Sequence, residues 1–192
     1  MIVLDTEKLI ILTPNGVGST ALHVELCNRA NNYWVMGDNE TGGIDSYITR
    51  IPTRWKSYER AVMVRNPYTR IAAMHSAYND KRLAKNLEPI TLGHYVDKIP
   101  LMRTPVISKW AENVAPYHII HYESIAKDIR KITGLRIRCA TEQRANWRKD
   151  FERLTPQRLS YLYEYLIGDL VRFGYISTSI TPIEAAALRG EH

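Results

Sequence analysis

Hydrophobic residues follow two rhythms along this chain. Short unbroken apolar runs, Leu9–Leu12 (LIIL), Tyr33–Met36 (YWVM) and Ala61–Val64 (AVMV), read as buried strands, the first covered on both faces, and Tyr117–His121 (YHIIH) reads as a fourth strand. Between them, apolar positions recur at helical spacing. Ser19 and Thr20 open a helix with Ala21, Leu22, Val24 and Leu26 available for packing. Pro67 suits the first turn of a helix running to about Tyr78. Short helices are expected from Thr91 and from Thr104, where Thr104-Pro105 reads as cap and first helical position. Tyr122-Glu123-Ser124 leads into another that ends near Gly134, and Leu135–Ile137 is expected as an edge strand. Thr155-Pro156 opens the clearest helix, with Leu159, Leu162, Tyr163, Leu166, Ile167, Leu170 and Val171 as its apolar face and Gly174 as its stop. Thr181-Pro182-Ile183-Glu184 is a capping-box start for a last short helix ending at Gly190. Alternating strands and helices predict an α/β fold with a central, mainly parallel β-sheet of about four to five strands flanked by helices. One domain is expected over residues 1–192, with 176–192 as a C-terminal helical extension.

Composition adds bounds to that picture. The chain has 192 residues, 45% hydrophobic and 24% charged, ordinary values for a globular protein able to bury a core. No apolar run approaches the roughly 20 residues of a membrane span, and Asp5 and Glu7 interrupt any signal-peptide pattern, so a cytoplasmic setting is expected. Cys27 and Cys139 lack metal-type spacing, and no metal is called for. The formal charge of +6 favours anionic partners. It is concentrated between Arg50 and Lys85, where Arg50, Arg54, Lys56, Arg60, Arg65, Arg70, Lys81, Arg82 and Lys85 face only Glu59 and Asp80. Such a stretch fits a nucleic-acid face, an anionic ligand site or a solvated surface.

The candidate chemistry centres on the turn after the first expected strand, Thr13-Pro14-Asn15-Gly16-Val17-Gly18, and the helix start at Ser19-Thr20. A buried strand, a glycine-rich turn and a helix N-terminus gather backbone N–H groups and the positive helix dipole, with hydroxyls beside them, as an anion site requires. The turn is neither GxxxxGK[ST] nor GxGxxG, which argues against a nucleotide kinase. An ordinary reversing turn explains the same glycines. Arg65 follows the third strand, where its guanidinium can grip a phosphate with two parallel hydrogen bonds. Arg70, one turn into the next helix, serves as readily for a salt bridge within the fold. Asp38 and Glu40 follow the second strand, where an acid or base is useful and where turn capping is the plainer role. A second basic cluster, Arg144, Arg148, Lys149 and Arg153, surrounds Trp147.

GVGSTAL after a buried strand, AVMVRNPYTRIAAMHSAY, YHIIHYESI and the tail LTPQRLSYLYEYLIGDLVRFGY together resemble, in order, the motifs of sulfotransferases that use PAPS (3′-phosphoadenosine 5′-phosphosulfate). The resemblance runs from about Leu9 to Tyr175, is closest to the carbohydrate-type and small soluble members, and implies their P-loop-NTPase-like fold. It also implies PAPS as donor and PAP as product, no metal, a small-molecule or carbohydrate acceptor and no membrane. Asn15, Gly16, Val17, Gly18, Ser19 and Thr20 then cradle the 5′-phosphosulfate, and Arg65 takes the 3′-phosphate, with Arg144, Arg148 and Lys149 as weaker candidates for it. Asp38, Glu40 and Asp45 are the candidate bases, Glu40 foremost, and His23 is an outsider. Two departures stand out. The family's loop cation falls on Gly16, or on Asn15 with the loop shifted by one, so Lys8, Lys56 or an arginine of the second cluster is expected to supply the charge. The family's 3′-phosphate serine falls on Ala73, with Ser76 one turn further and His75 nearby. A PAP/PAPS-binding module without transfer activity is therefore the first alternative, and a nucleic-acid-binding basic domain ranks last. Acceptor choice is assigned to Asp38–Tyr58 and Lys81–Ser108. The oligomeric state is not legible.

Overall fold

The computed structural model describes residues 1–27, 33–35, 51–102, 106–108, 118–138 and 147–176. They form strands β1 (Ile2–Leu4), β2 (Leu9–Leu12), β3 (Tyr33–Val35), β4 (Glu59–Val64) and β5 (His118–His121). The helices are α1 (Ser19–Cys27), α2 (Pro67–Leu83), α3 (Leu92–Lys98), α4 (Ile125–Thr133), α5 (Trp147–Glu152) and α6 (Pro156–Arg172). The chain divides into two compact units, each made of two chain segments. One comprises Met1–Arg65 with Lys109–Glu142, the other Asn66–Ser108 with Gln143–His192.

The first unit holds the sheet, in the order β3-β1-β2-β4-β5. β2 pairs in parallel with β4 (Ile11 opposite Ala61) and β4 with β5 (Met63 opposite Ile120). β1 runs antiparallel to both neighbours, pairing Val3 with Ile10 and with Trp34. Four of the five strands thus share one direction, and the architecture is α/β with a mixed sheet. All four residues of β2, and Ala61–Val64 of β4, are buried, as expected of central strands covered on both faces. β1 is the element sequence analysis does not anticipate. The apolar run Met1–Leu4 turns at Asp5–Lys8, closed by a Lys8 N–H to Asp5 carbonyl bond of 3.4 Å with Lys8 at φ 50, and returns as β2. Asp5 in that turn accepts from the Trp55 indole N–H at 3.1 Å and the Tyr58 hydroxyl at 2.6 Å, anchoring the segment that enters β4.

Other expectations need adjustment. Leu135–Ile137 joins no ladder. In α1, Leu22 and Leu26 are buried, an i, i+4 pair, whereas Val24 points outward at 54% exposure. The amphipathic α4 buries Ile125 and Ile129 and ends, as read, at Gly134 with φ 77.

In the second unit, Asn66 caps α2 by accepting from the Tyr68 and Thr69 amides, and Pro67 takes the first helical position. α2 continues beyond Tyr78 to Leu83, because Lys81 and Arg82 are good helix formers that also suit the negative end of the dipole. Thr91 caps α3 and Thr155 caps α6, both as expected. Leu159, Leu162, Leu166 and Leu170 form the buried stripe of α6, whereas Val171 is exposed. Arg70 is 1% exposed, and Asp169 supplies the leading favourable charge against the cost of its burial. Asp169 also accepts the Ile107 and Ser108 amides at 3.0 and 2.6 Å. The expected starts at Thr104 and Thr181 lie outside the described residues, as do residues 177–192 of the expected extension.

Candidate functional site

The sheet order defines where a ligand crevice belongs. From β2 the chain crosses through α1 to β3 on one side, whereas from β4 the next strand, β5, lies on the other side. The connections diverge at the carboxyl ends of β2 and β4, the kind of switch point at which open α/β sheets bind ligands. The turn 13–18 leaves β2 there, Arg65 directly follows β4 there, and Tyr122 follows β5 there.

These groups meet. Arg65 Nη1 donates to the Gly16 carbonyl oxygen in a long hydrogen bond of 3.4 Å. The Arg65 guanidinium carbon lies 4.4 Å from the centre of the Tyr122 ring, a cation–π distance. The same ring lies against Gly18: a Cβ there would stand 2.3 Å from Tyr122 Cε2. Gly18 has φ 83, so both the backbone and the ring require glycine at this position. Gly16, at φ 82, reverses the chain just before it. Val17 between them is fully buried and fixes the turn to the core. The Gly18 carbonyl accepts from the Ala21 amide at 3.2 Å, starting α1 directly from the turn.

The turn that carries Tyr122 is itself fixed. Asp128 Oδ2 accepts from the His121 amide at 2.8 Å and the Ser124 hydroxyl at 2.9 Å, with the His121 ring at 3.3 Å. His118, the other histidine of β5, pairs with Glu59 at 2.8 Å. Each histidine lies against a carboxylate, and among the described residues no group of three or more His, Cys, Asp and Glu side chains gathers as a metal would require.

Arg65 is 8% exposed, Gly16, Gly18 and Ser19 are half-buried, and Asn15 and Thr20 are exposed. A guanidinium beside a glycine turn that opens a helix is a combination of donor types that suits a phosphate or sulfate ester. The structure thus brings Arg65 to the glycine turn. The two lysines expected as loop cations lie at the opposite ends of the same strands. Lys8 lies at the amino end of β2, its carbonyl accepting from the Glu59 amide at 2.9 Å, and Lys56 precedes β4. Neither lysine is at the carboxyl ends. Ser76 lies on α2, about 14 Å along the helix from Pro67 at its rise per residue. His75 Nε2 is 2.8 Å from the Ile90 carbonyl, where Asn79 also bonds, so it holds the chain that returns from α2 to α3. Arg148 is exposed on α5 with its guanidinium 5.3 Å from the Trp147 ring. Asp38, Glu40, Asp45 and Arg144 lie outside the described residues.

Sequence reasoning does not assign Tyr122 or Asp128 to the site. The available signal was a tyrosine directly after an expected strand, in a sequence that also carries a glycine turn needing something to pack against it. Comparison with family models, with curated proteins and with solved structures finds no match for this chain.

Proposed function

We propose that the crevice at the carboxyl ends of β2 and β4 binds PAPS and that the protein is a sulfotransferase of the P-loop-like α/β type. The observation that carries this reading is the meeting of two stretches far apart in sequence, the GVGST turn and the VRNPYTR arginine, at 3.4 Å on the switch point of the sheet. The motif resemblance and the anion-binding donor set support it further.

In this reading PAPS supplies the sulfuryl group, which passes to an acceptor oxygen or nitrogen as the bond from sulfur to the phosphate-bridging oxygen breaks and PAP leaves. The protein's contributions are positioning, charge stabilisation on the departing phosphate and removal of the acceptor's proton. The turn from Gly16 to Thr20 holds the phosphosulfate. On the resemblance alone Arg65 goes to the 3′-phosphate, with Ser76, Arg144 and Arg148 as further candidates. Asp38, Glu40 and Asp45 are the proposed proton acceptors, and Glu40 is preferred for its place after the second strand. The acceptor is a small molecule or a carbohydrate.

A direct test follows transfer of labelled sulfate from PAPS to a panel of hydroxyl and amine acceptors, alongside calorimetric titration with PAP. Transfer that falls in Glu40→Gln, with PAP affinity unchanged, supports the assignment. PAP binding without transfer to any acceptor favours the binding module instead, a reading motivated by the glycine at the loop-cation position and by Ala73. Absence of both transfer and PAP binding overturns the proposal.

A further inference from the structure

The geometry points to a different place for Arg65 from the one the motif resemblance gives it: we propose that Arg65 is the cation of the phosphosulfate end, supplying the charge that the glycine turn lacks, and that Tyr122 is the positioning residue that holds it there. This inference rests on the reading of the crevice as a PAPS site. It concerns which phosphate the guanidinium serves.

Three observations carry it. The position at which a loop cation is expected is Gly16, and the guanidinium that reaches Gly16 in space is that of Arg65, at 3.4 Å from its carbonyl oxygen. The lysines offered as replacements, Lys8 and Lys56, sit at the amino ends of the strands, and β4 alone spans about 20 Å at the usual rise per residue. A lysine side chain cannot bridge that length. Finally, the separation between turn and guanidinium is set by one aromatic ring, because the Tyr122 ring occupies the space of a Gly18 side chain and also lies 4.4 Å from the Arg65 guanidinium carbon.

The electrostatics agree. A carbonyl oxygen beside an anion site repels the anion, and Gly16 presents such an oxygen in the turn. A guanidinium N–H donated to that oxygen offsets its negative charge. With its several N–H groups in a planar fork, the same side chain can hold the carbonyl and an ester oxygen together. A lysine, with one compact charged group, could not do both with the same geometry. The Asp128 bonds that fix the turn after β5 keep the Tyr122 ring in register with this arrangement.

The experiment is calorimetric titration of the full chain with adenosine, AMP and PAP, for the wild type and for Arg65→Ala, Arg65→Lys, Tyr122→Leu and Tyr122→Phe. Thermal melts establish that each variant is folded. Arg65→Ala is expected to weaken AMP and PAP by the same factor, about 10- to 100-fold for one lost charge-assisted contact, and to leave adenosine unchanged. Arg65→Lys shows a smaller loss in the same ratio, which keeps the test usable should the alanine variant fail to fold. Tyr122→Leu reproduces the arginine pattern at reduced size, and Tyr122→Phe behaves as wild type because the ring is retained. A loss confined to PAP, with AMP unchanged, returns Arg65 to the 3′-phosphate and overturns the inference while leaving the PAPS reading intact. Loss of adenosine affinity as well marks a merely structural role and also overturns it. A wild type that binds none of the three ligands removes the PAPS reading itself.

Discussion

Arg65 and Arg70 stand five residues apart in the same VRNPYTR stretch, yet the fold uses them in opposite ways. Arg70 lies on α2 at 1% exposure, and a carboxylate, Asp169, offsets the cost of burying its charge. Arg65 directly follows β4 at 8% exposure, donating to a carbonyl and lying over an aromatic ring. A buried carboxylate offsets a guanidinium's charge, whereas a carbonyl and an aromatic ring orient it. The first arrangement builds a core. The second suits the proposed anion site.

The comparison breaks most visibly at Asp169. Asp169→Ala removes the counter-charge of Arg70 and the acceptor of two buried amides, so urea unfolding should register a loss of about 3–5 kcal/mol. A loss below about 1 kcal/mol would mean that Arg70 is satisfied by other groups. On the other side of the comparison, Gly18→Ala drives a methyl into the Tyr122 ring and strains a residue at φ 83. It should cost about 1–3 kcal/mol. Combining it with Tyr122→Leu should recover part of that, giving a coupling of about 0.5–3 kcal/mol in a double-mutant cycle. Strictly additive effects would separate the ring from the turn.

Tyr95 sharpens the contrast at high pH. Burial pushes its hydroxyl up to about 12, with Arg70 the main opposing influence. A raised folded-state value means the contribution is fully present below the ordinary tyrosine value of about 10 and is lost as pH rises towards 12. Stability should thus be lower at pH 11 than at pH 9 by about 1 kcal/mol for this group, and Tyr95→Phe should flatten that slope. The smallest effect belongs to a third arginine. Arg158 makes a two-pronged pair with Asp97 at 2.9 and 2.7 Å on the exposed side of α3 and α6. The hydrogen bond from Arg158 holds the Asp97 carboxyl below its ordinary value. Its contribution is present above the unfolded carboxylate value of about 3.9 and is lost as pH falls through the lowered folded value. Asp97→Asn should therefore change the thermal midpoint slightly at neutral pH, and the difference should vanish in acid or concentrated salt.

Much of the frame is legible in the residues. LIIL and AVMV are short apolar runs of the kind a doubly covered strand makes, and Asn66-Pro67, Thr91 and Thr155-Pro156 mark helix starts by chemistry that acts within a few residues. Both glycines after β2 were legible as a turn. What escaped depended on distant partners. Met1–Leu4 reads as a strand only once the Asp5–Lys8 turn is seen to fold it back on β2. Val24 and Val171 are apolar residues at positions that the helix geometry turns outward, so composition overstated their faces. Gly18 was legible as a turn glycine, but not that its missing side chain also makes room for Tyr122, a partner over 100 residues away. Arg70 could be read either way from sequence, and its burial with Asp169 decides it.

The anion site proposed at the carboxyl ends of β2 and β4 stands or falls on a crystal structure of the protein soaked with PAP. The 5′-phosphate is expected on the Gly16–Thr20 turn, with the Arg65 guanidinium in contact with it. PAP bound away from that turn, or absent from crystals soaked at saturating concentration with the turn open to solvent, would contradict it.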